Sequence, residues 1–352
     1  MPPRFILENQ RLAPYTTLGI GGPARFWAEV SAEEQVLEAL EFADARPAPV
    51  FILGGGSNIL VSDAGFAGLV VRIALRGASF EDGTVTAAAG EDWDSLVARS
   101  VERNWAGVEC LSGIPGTVGG TPIQNVGAYG QEASEVIDSV RALDRTARRI
   151  VTLARGDCGF TYRRSIFNSS APERYVILSV RYVLRVGGEP RTEYPDVKRA
   201  LAGRASPPTL PEVRAAVRAI RASKSMLLVP GDPDAASAGS FFKNPVVTEA
   251  EFLEIEEAAR RAGVIERDQG LPRFPAHPGS VKVPAAWLIE RAGFSKGYAR
   301  GRAAVSAHHT LALVNRGGAT ADEVLALARE IQETVSARFG VMLRPEPVFV
   351  GF

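Results

Sequence analysis

Residues Leu111–Tyr129 read LSGIPGTVGGTPIQNVGAY, and the interpretation of the whole chain turns on this stretch. Gly113, Gly116, Gly119 and Gly120 fall within eight residues, and Gly127 follows. Glycine at that density disfavours both helix and strand. It suits backbone that turns tightly or comes close to a ligand. With no Cβ in the way, successive N–H groups can converge on one anion, as in a phosphate-binding nest. The alternative is a plain surface loop. Structureless loops of about 20 residues in a compact domain are, however, usually functional.

Two further glycine clusters precede it. Pro14–Ala24 (PYTTLGIGGPA) contains Gly19-x-Gly21-x-x-Ala24, formally a dinucleotide fingerprint. The fingerprint must open a helix, whereas Pro23 and the strand-like ARFWAEV follow here, so a ligand-lining loop is expected instead. Gly54, Gly55, Gly56, Ser57 and Asn58 lie between the apolar runs Val50–Leu53 and Ile59–Val61. A P-loop would need Gly-Lys-Ser/Thr and a following helix. What remains is a hairpin turn or a phosphate cradle with hydroxyl and amide donors beside bare backbone.

The surrounding chain has 352 residues, enough for two or three domains. Lys plus Arg and Asp plus Glu each total 40, so the basic field that would favour nucleic acid is absent. Two cysteines in dissimilar contexts, Cys110 and Cys158, give no metal spacing and no disulfide framework. The first residues, MPPRFILENQRLAP, lack a signal-peptide apolar core, and no run reaches the ~18 apolar residues of a membrane helix. A soluble, cytoplasmic protein without nucleic-acid or membrane partners is expected.

Apolar spacing predicts helices at Val36, Leu37, Leu40 and Ala43 behind a Ser31-x-x-Glu34 capping box, and at Trp93, Leu96, Val97 and Val101. Strands are expected near 69–72, 84–89, 140–143, 150–153, 175–183 and 191–194. The character changes at Ala205-Ser-Pro-Pro, a candidate boundary. Beyond it, Pro211 starts a helix with Val213, Val217 and Ile220 inside, and with Arg221 and Lys224 projecting together near its end. Thr248-x-x-Glu251 and Thr320-x-x-Glu323 cap two more helices, and Pro284–Ala292 forms a short one. Ala303–Val305 and Leu311–Asn315 read as strands. Glu346, between Pro345 and Pro347, has its direction preset by extended backbone. Several glycine loops without a Rossmann order suggest a large ligand carrying pyrophosphate, with FAD on an α+β fold the natural candidate.

The motifs TLGIGGPA, ILGGGSNIL, IPGTVGGTPIQNVGAYGQE, YRRSIF, AGSFFKNP, GSVKVPAAWLIE and RPEPVFVG span nearly the whole chain. In that order they resemble the UDP-N-acetylenolpyruvoylglucosamine reductase family, and the intervening Tyr194 resembles its longer subgroup, with a tyrosine closing over the substrate. The resemblance implies an α+β FAD-binding fold of the vanillyl-alcohol-oxidase type, as two subdomains over 1–70 and 71–205. It further implies a separate α+β substrate lobe over 206–340 and a C-terminal segment, 341–352, returning to the active site.

Implied as well are non-covalent FAD, NADPH as hydride donor, no metal, and a small-molecule UDP-sugar enolpyruvyl ether as substrate, in a monomer. Hydride would pass from NADPH to flavin N5 and then to the enolpyruvyl methylene. Arg163 and Glu346 would serve the substrate carboxylate, and Ser240 would donate the proton. Arg163 is chosen over Arg164 only by the Tyr-Arg-x-Ser-Ile-Phe register. Tyr194, Lys224 and Asn244 would bind the UDP side. Cofactor contacts would come from Gly54–Asn58 and from Gly113, Ile114, Pro115, Gly116, Gly119, Gly120, Gln124, Asn125, Gly127, Ala128 and Tyr129. Backbone N–H groups from Gly113 to Gly120 would meet phosphate. The chief alternatives are a flavin oxidase of the same fold and a non-catalytic nucleotide-binding protein.

Overall fold

The computed structural model describes residues 3–266 and 268–352. The chain divides into two compact units. The first comprises residues up to Gln10, Pro23–Gly56 and Phe66–Leu227; the second comprises Arg11–Gly22, Ser57–Gly65 and Leu228–Phe352. The break expected at 205 therefore falls after Leu227. The reason lies in the helix Leu210–Ser223, whose Val213 and Val217 are buried with Cys110 and Val197 of the first unit.

In the first unit, strands Pro23–Val30 and Val50–Leu53 both pair parallel to the central strand Phe66–Ile73. The helix Glu33–Asp44 belongs to the same core, through Val36, Ala39, Leu40, Phe42 and Ala43. Leu37, expected on that face, is exposed at 37 %. The cap is also different: Gln35 Oε1 accepts from the backbone N–H groups of Ser31 and Ala32, so Glu34 is not the capping residue. An antiparallel sheet runs in the order Arg149–Ala154, Ile137–Asp144, Tyr175–Val183, Thr84–Ala88, Ala78–Glu81. One continuous apolar core joins both sheets and the helix Trp93–Glu102, with Trp93, Leu96, Val97 and Val101 buried as their spacing requires. The strand expected at 191–194 does not form; instead the Arg191 N–H donates to the buried Glu109 carboxylate at 2.9 Å.

The second unit is built around the helix Ala321–Phe339, with Val324, Leu327, Ile331 and Val335 wholly buried. Thr320 and Glu323 form the expected capping box, and Asp63, far away in sequence, also accepts from Ala321 and Asp322 N–H at 3.0 and 3.2 Å. Helices Glu249–Arg261 and Ala285–Ala292 share its core. A four-stranded sheet has the order Ser237–Ser240, Ala312–Asn315, Ala303–Val305, Ala299–Arg300. Ile59–Val61 pairs parallel with the C-terminal Val348–Val350, so the Gly54–Asn58 loop leads from a strand of one unit to a strand of the other and is not a hairpin. Pro23–Val30 is likewise a strand, which removes the helix a dinucleotide fingerprint at Gly19 would need. Among the described residues, no helix is long and apolar enough to cross a membrane, and no group of His, Cys, Asp and Glu could hold a metal ion.

Candidate functional site

In the first unit the glycine loops meet backbone to backbone. A Cβ on Gly55 would lie 2.6 Å from Gly116 Cα, and one on Gly54 would lie 2.9 Å from Thr117 Oγ1. Only glycine permits that approach. The N–H groups along Leu111–Tyr129 divide into two sets. Gly113 donates to Asp94 Oδ1 at 2.6 Å, Val118 to Glu91 O, Gly119 to Ala89 O and Gly120 to Thr117 O. Those donors are spent, which corrects the expectation that all of Gly113–Gly120 would face phosphate. Ile114, Gly116 and Thr117 donate to no acceptor among the described residues, and they are half-buried together with Pro115. Half-buried donors without protein partners, beside a cradle that a Cβ would fill, fit a pyrophosphate.

The far end of the stretch is held by side chains. Asn125, 1 % exposed and at φ 45°, donates to Glu132 Oε2 at 2.8 Å and to Thr161 O at 3.1 Å, and accepts from Ser134 N–H at 3.0 Å. Its amide therefore frames the loop, while its neighbour Gln124 is half-buried. Gly127–Ala128 pairs with Gln131–Glu132. Gly127 O accepts from Arg163 Nη2 at 3.0 Å. Arg163 adopts φ 55°, a conformation rare for a residue with a Cβ, and its guanidinium stands 5.5 Å from the Tyr162 ring. Backbone strain of this kind concentrates at functional sites. Arg164 is exposed.

Tyr129 and Tyr194 meet edge to face at 5.4 Å. Burial pushes the Tyr129 phenol up to about 12, with Asp196 and Tyr194 adding to the rise and Arg221 opposing it; burial, then Asp196 and Tyr162, raises Tyr194. Lys224 Nζ lies 5.9 Å from the Tyr129 ring and 2.8 Å from Asp196 Oδ2. Arg221 does not project beside Lys224. It is 6 % exposed and turned inward, donating from Nε to Gly113 O at 3.1 Å and from Nη2 to Met226 O at 2.7 Å. Asp94 is gripped by Arg214 and Arg218. Burial opposes its ionisation, but the Arg214 and Gly113 hydrogen bonds and the two guanidinium charges prevail and hold its carboxyl below the ordinary value.

The second unit contributes a different corner. Ser240 ends the strand Ser237–Ser240, opposite Ala312. The next residue, Phe241, is fully buried, and its carbonyl accepts from Glu346 N–H at 2.9 Å. Glu346 O accepts from Asn58 Nδ2 at 3.3 Å. The backbone of Glu346 is thus tied to Phe241, next to Ser240, and to the Asn58 side chain, far apart in sequence, with both Ser240 and Glu346 half-buried. Ser57 and Asn58 belong to this unit, whereas Gly54, Gly55 and Gly56 belong to the first. Asn244 Oδ1 accepts from Ala285 N–H at 2.9 Å and so caps the helix Ala285–Ala292. One constellation had no sequence signal. Buried Asp234 accepts from Ser306 Oγ at 2.7 Å and Ala307 N–H at 2.5 Å and pairs with Arg316, fixing the turn that carries His308 and His309.

Comparison with known proteins agrees with this division of labour. The family described as "FAD binding domain" matches residues 24–153, and "UDP-N-acetylenolpyruvoylglucosamine reductase, C-terminal domain" matches residues 232–350. A Streptomyces coelicolor protein named UDP-N-acetylenolpyruvoylglucosamine reductase is 47% identical over 350 residues, covering 98% of this chain and 90% of that protein. The Thermobifida fusca protein of the same name is 45% identical over 351 residues, covering 98% of each. The crystal structure of the Thermus caldophilus reductase superposes with a TM-score of 0.67 at 26% identity, over 98% of both chains.

Proposed function

Starting from the fact that the chain belongs to the UDP-N-acetylenolpyruvoylglucosamine reductase family, we propose that it performs the full double displacement. In this reading NADPH reduces the flavin, and the enolpyruvyl ether of UDP-N-acetylglucosamine is then reduced to UDP-N-acetylmuramate. The chain is an FAD-dependent oxidoreductase of peptidoglycan precursor synthesis, on an α+β FAD-binding fold of the vanillyl-alcohol-oxidase type with a separate C-terminal domain. When bound, FAD supplies the hydride that adds to the substrate's terminal methylene carbon. Gly54–Gly56 and the N–H groups of Ile114, Gly116 and Thr117 would hold its pyrophosphate.

The chain's own side chains do the rest. Hydride addition puts negative charge on the adjacent carbon and, by conjugation, on the carboxylate. A guanidinium can grip a carboxylate in two places, which suits Arg163 to that group. Glu346 is the second group proposed to serve that carboxylate. Ser240 Oγ gives its proton to the carbon, which completes a two-electron, two-proton reduction of the double bond. A hydroxyl is a weak acid, but the carbanion-like carbon it meets is strongly basic. Tyr194 and Lys224 serve the UDP portion. Lys224 brings the charge suited to a diphosphate, and Asn244 is proposed as a further contact to the UDP portion.

The observation that carries this reading is the backbone tie from Phe241 O to Glu346 N–H, because it fixes the proposed proton donor and the proposed carboxylate partner relative to each other. The test is anaerobic. The flavin is reduced with NADPH, the nucleotide is removed, and the enolpyruvyl substrate is added. Reoxidation of the flavin is expected. In Ser240→Ala, flavin reduction by NADPH should stay nearly intact while product formation drops by about 10²–10⁴-fold. Equal loss of both half-reactions would remove Ser240 from the proton-donor role.

A further inference from the structure

Arg221 is buried without a carboxylate among its hydrogen-bond partners. Its guanidinium reaches the Gly113 carbonyl and the Met226 carbonyl. Gly113 O belongs to the peptide whose other side is the Ile114 N–H, one of the donors left to a ligand, so this planar group fixes the start of the glycine stretch. Gly113 is also held from its other side, where its N–H donates to Asp94. Asp94 is in turn clasped by Arg214 and Arg218. Arg214, Arg218 and Arg221 recur at i, i+4 and i+7 of one helix and share a face. Three guanidiniums against one carboxylate leave the foot of the cradle cationic, which favours an arriving anion.

We infer that Arg221 is a positioning residue for the cofactor: it staples the Gly113 end of Leu111–Tyr129 and so sets FAD affinity, while the phosphate itself is taken by other groups. This rests on the reading of that stretch as the FAD seat. The staple requires arginine. A rigid fork with five donors can serve two carbonyls together, whereas a lysine ammonium on a flexible stem cannot hold the same directions. Loss of the fork frees Gly113 O, and the cofactor must then order a loop that is ordered beforehand in the native chain.

FAD binding to deflavinated protein, read by quenching of flavin fluorescence, tests the staple. Arg221→Gln is expected to weaken FAD by about tenfold or more, equivalent to the loss of one well-made polar contact. Arg221→Lys should fall between that variant and the native protein. Circular dichroism and the melting temperature of the apoprotein separate affinity from folding. Unchanged FAD affinity in a folded Arg221→Gln overturns the staple. Should Arg221→Gln not fold, Arg221→Lys decides the matter, and native affinity there overturns the proposal. Native apoprotein that takes up no FAD would instead overturn the cofactor reading beneath it.

Discussion

The glycine cradle of the first unit and the Ser240–Glu346 corner of the second offer a ligand different things. The cradle offers backbone: Gly55 has no room for a Cβ, Gly116 holds φ 127°, and the N–H groups of Ile114, Gly116 and Thr117 donate to no acceptor among the described residues. The corner offers side chains, and its backbone is consumed in holding them, through Phe241 O to Glu346 N–H and Glu346 O to Asn58. Frame and function share one backbone stretch in the cradle, whereas in the corner the backbone frames and the side chains function. Substitutions should therefore damage the cradle by adding atoms and the corner by changing chemistry at constant shape.

After Ser240→Ala, the largest effect expected on this view comes from Glu346→Gln. The change is isosteric and leaves every backbone bond of residue 346 in place. Flavin content and melting temperature should stay native while product formation falls by about 10²–10³-fold, the usual cost of removing one group that stabilises developing charge. Rapid-mixing measurement of the second half-reaction reads it. Loss of flavin in this variant would break the contrast between the two regions.

Gly55→Ala comes next. Its Cβ would sit 2.6 Å from Gly116 Cα and 3.0 Å from Gly116 C, and neither backbone atom can yield cheaply. Overpacking of this kind costs about 1–3 kcal/mol, or about 10–100-fold in FAD affinity if the strain is released only by opening the cradle. Gly120→Ala sharpens the result, because a Cβ there meets no protein atom within 4 Å. Its apoprotein should melt like the native protein, so any loss of FAD reports a ligand next to residue 120. The ratio of flavin to protein absorbance, with apoprotein melting, checks both variants.

Much of this was legible because the signal was local. The capping boxes at Thr248 and Thr320, the glycine at 293 that closes a helix, and the periodic apolar faces each declare themselves within a few residues. The Tyr-Arg-x-Ser-Ile-Phe register chooses Arg163 over Arg164 by resemblance alone; in the structure the first is half-buried and the second exposed. What stayed hidden depends on partners far along the chain. Arg221 reads as a solvated helix end until Gly113, 108 residues earlier, is brought to it. Asp234 is an ordinary loop acid until Ser306 and Arg316 arrive. Asn125 was expected to face the cofactor, yet its amide answers Glu132, Ser134 and Thr161. Leu37 and Gln35 are local errors: helical spacing tolerates an exposed leucine, and the reach from position 35 back to Ser31 could have been read from the sequence.

The smallest effect lies in the second unit's frame. Thr320 Oγ1 accepts from Glu323 N–H at 3.1 Å at the start of the helix Ala321–Phe339. Thr320→Ala removes that acceptor and should cost about 1 kcal/mol of stability, read by urea unfolding. The helix start would still be held by Asp63, which takes the N–H groups of Ala321 and Asp322. Neither Ser240 nor Glu346 draws on Thr320 for its position: Ser240 sits in a sheet opposite Ala312, and Glu346 is tied to Phe241 and Asn58. The rate of each half-reaction per folded molecule should accordingly be native. A slower second half-reaction in a variant that is still folded would mean that frame and chemistry are as inseparable in the corner as they are in the cradle.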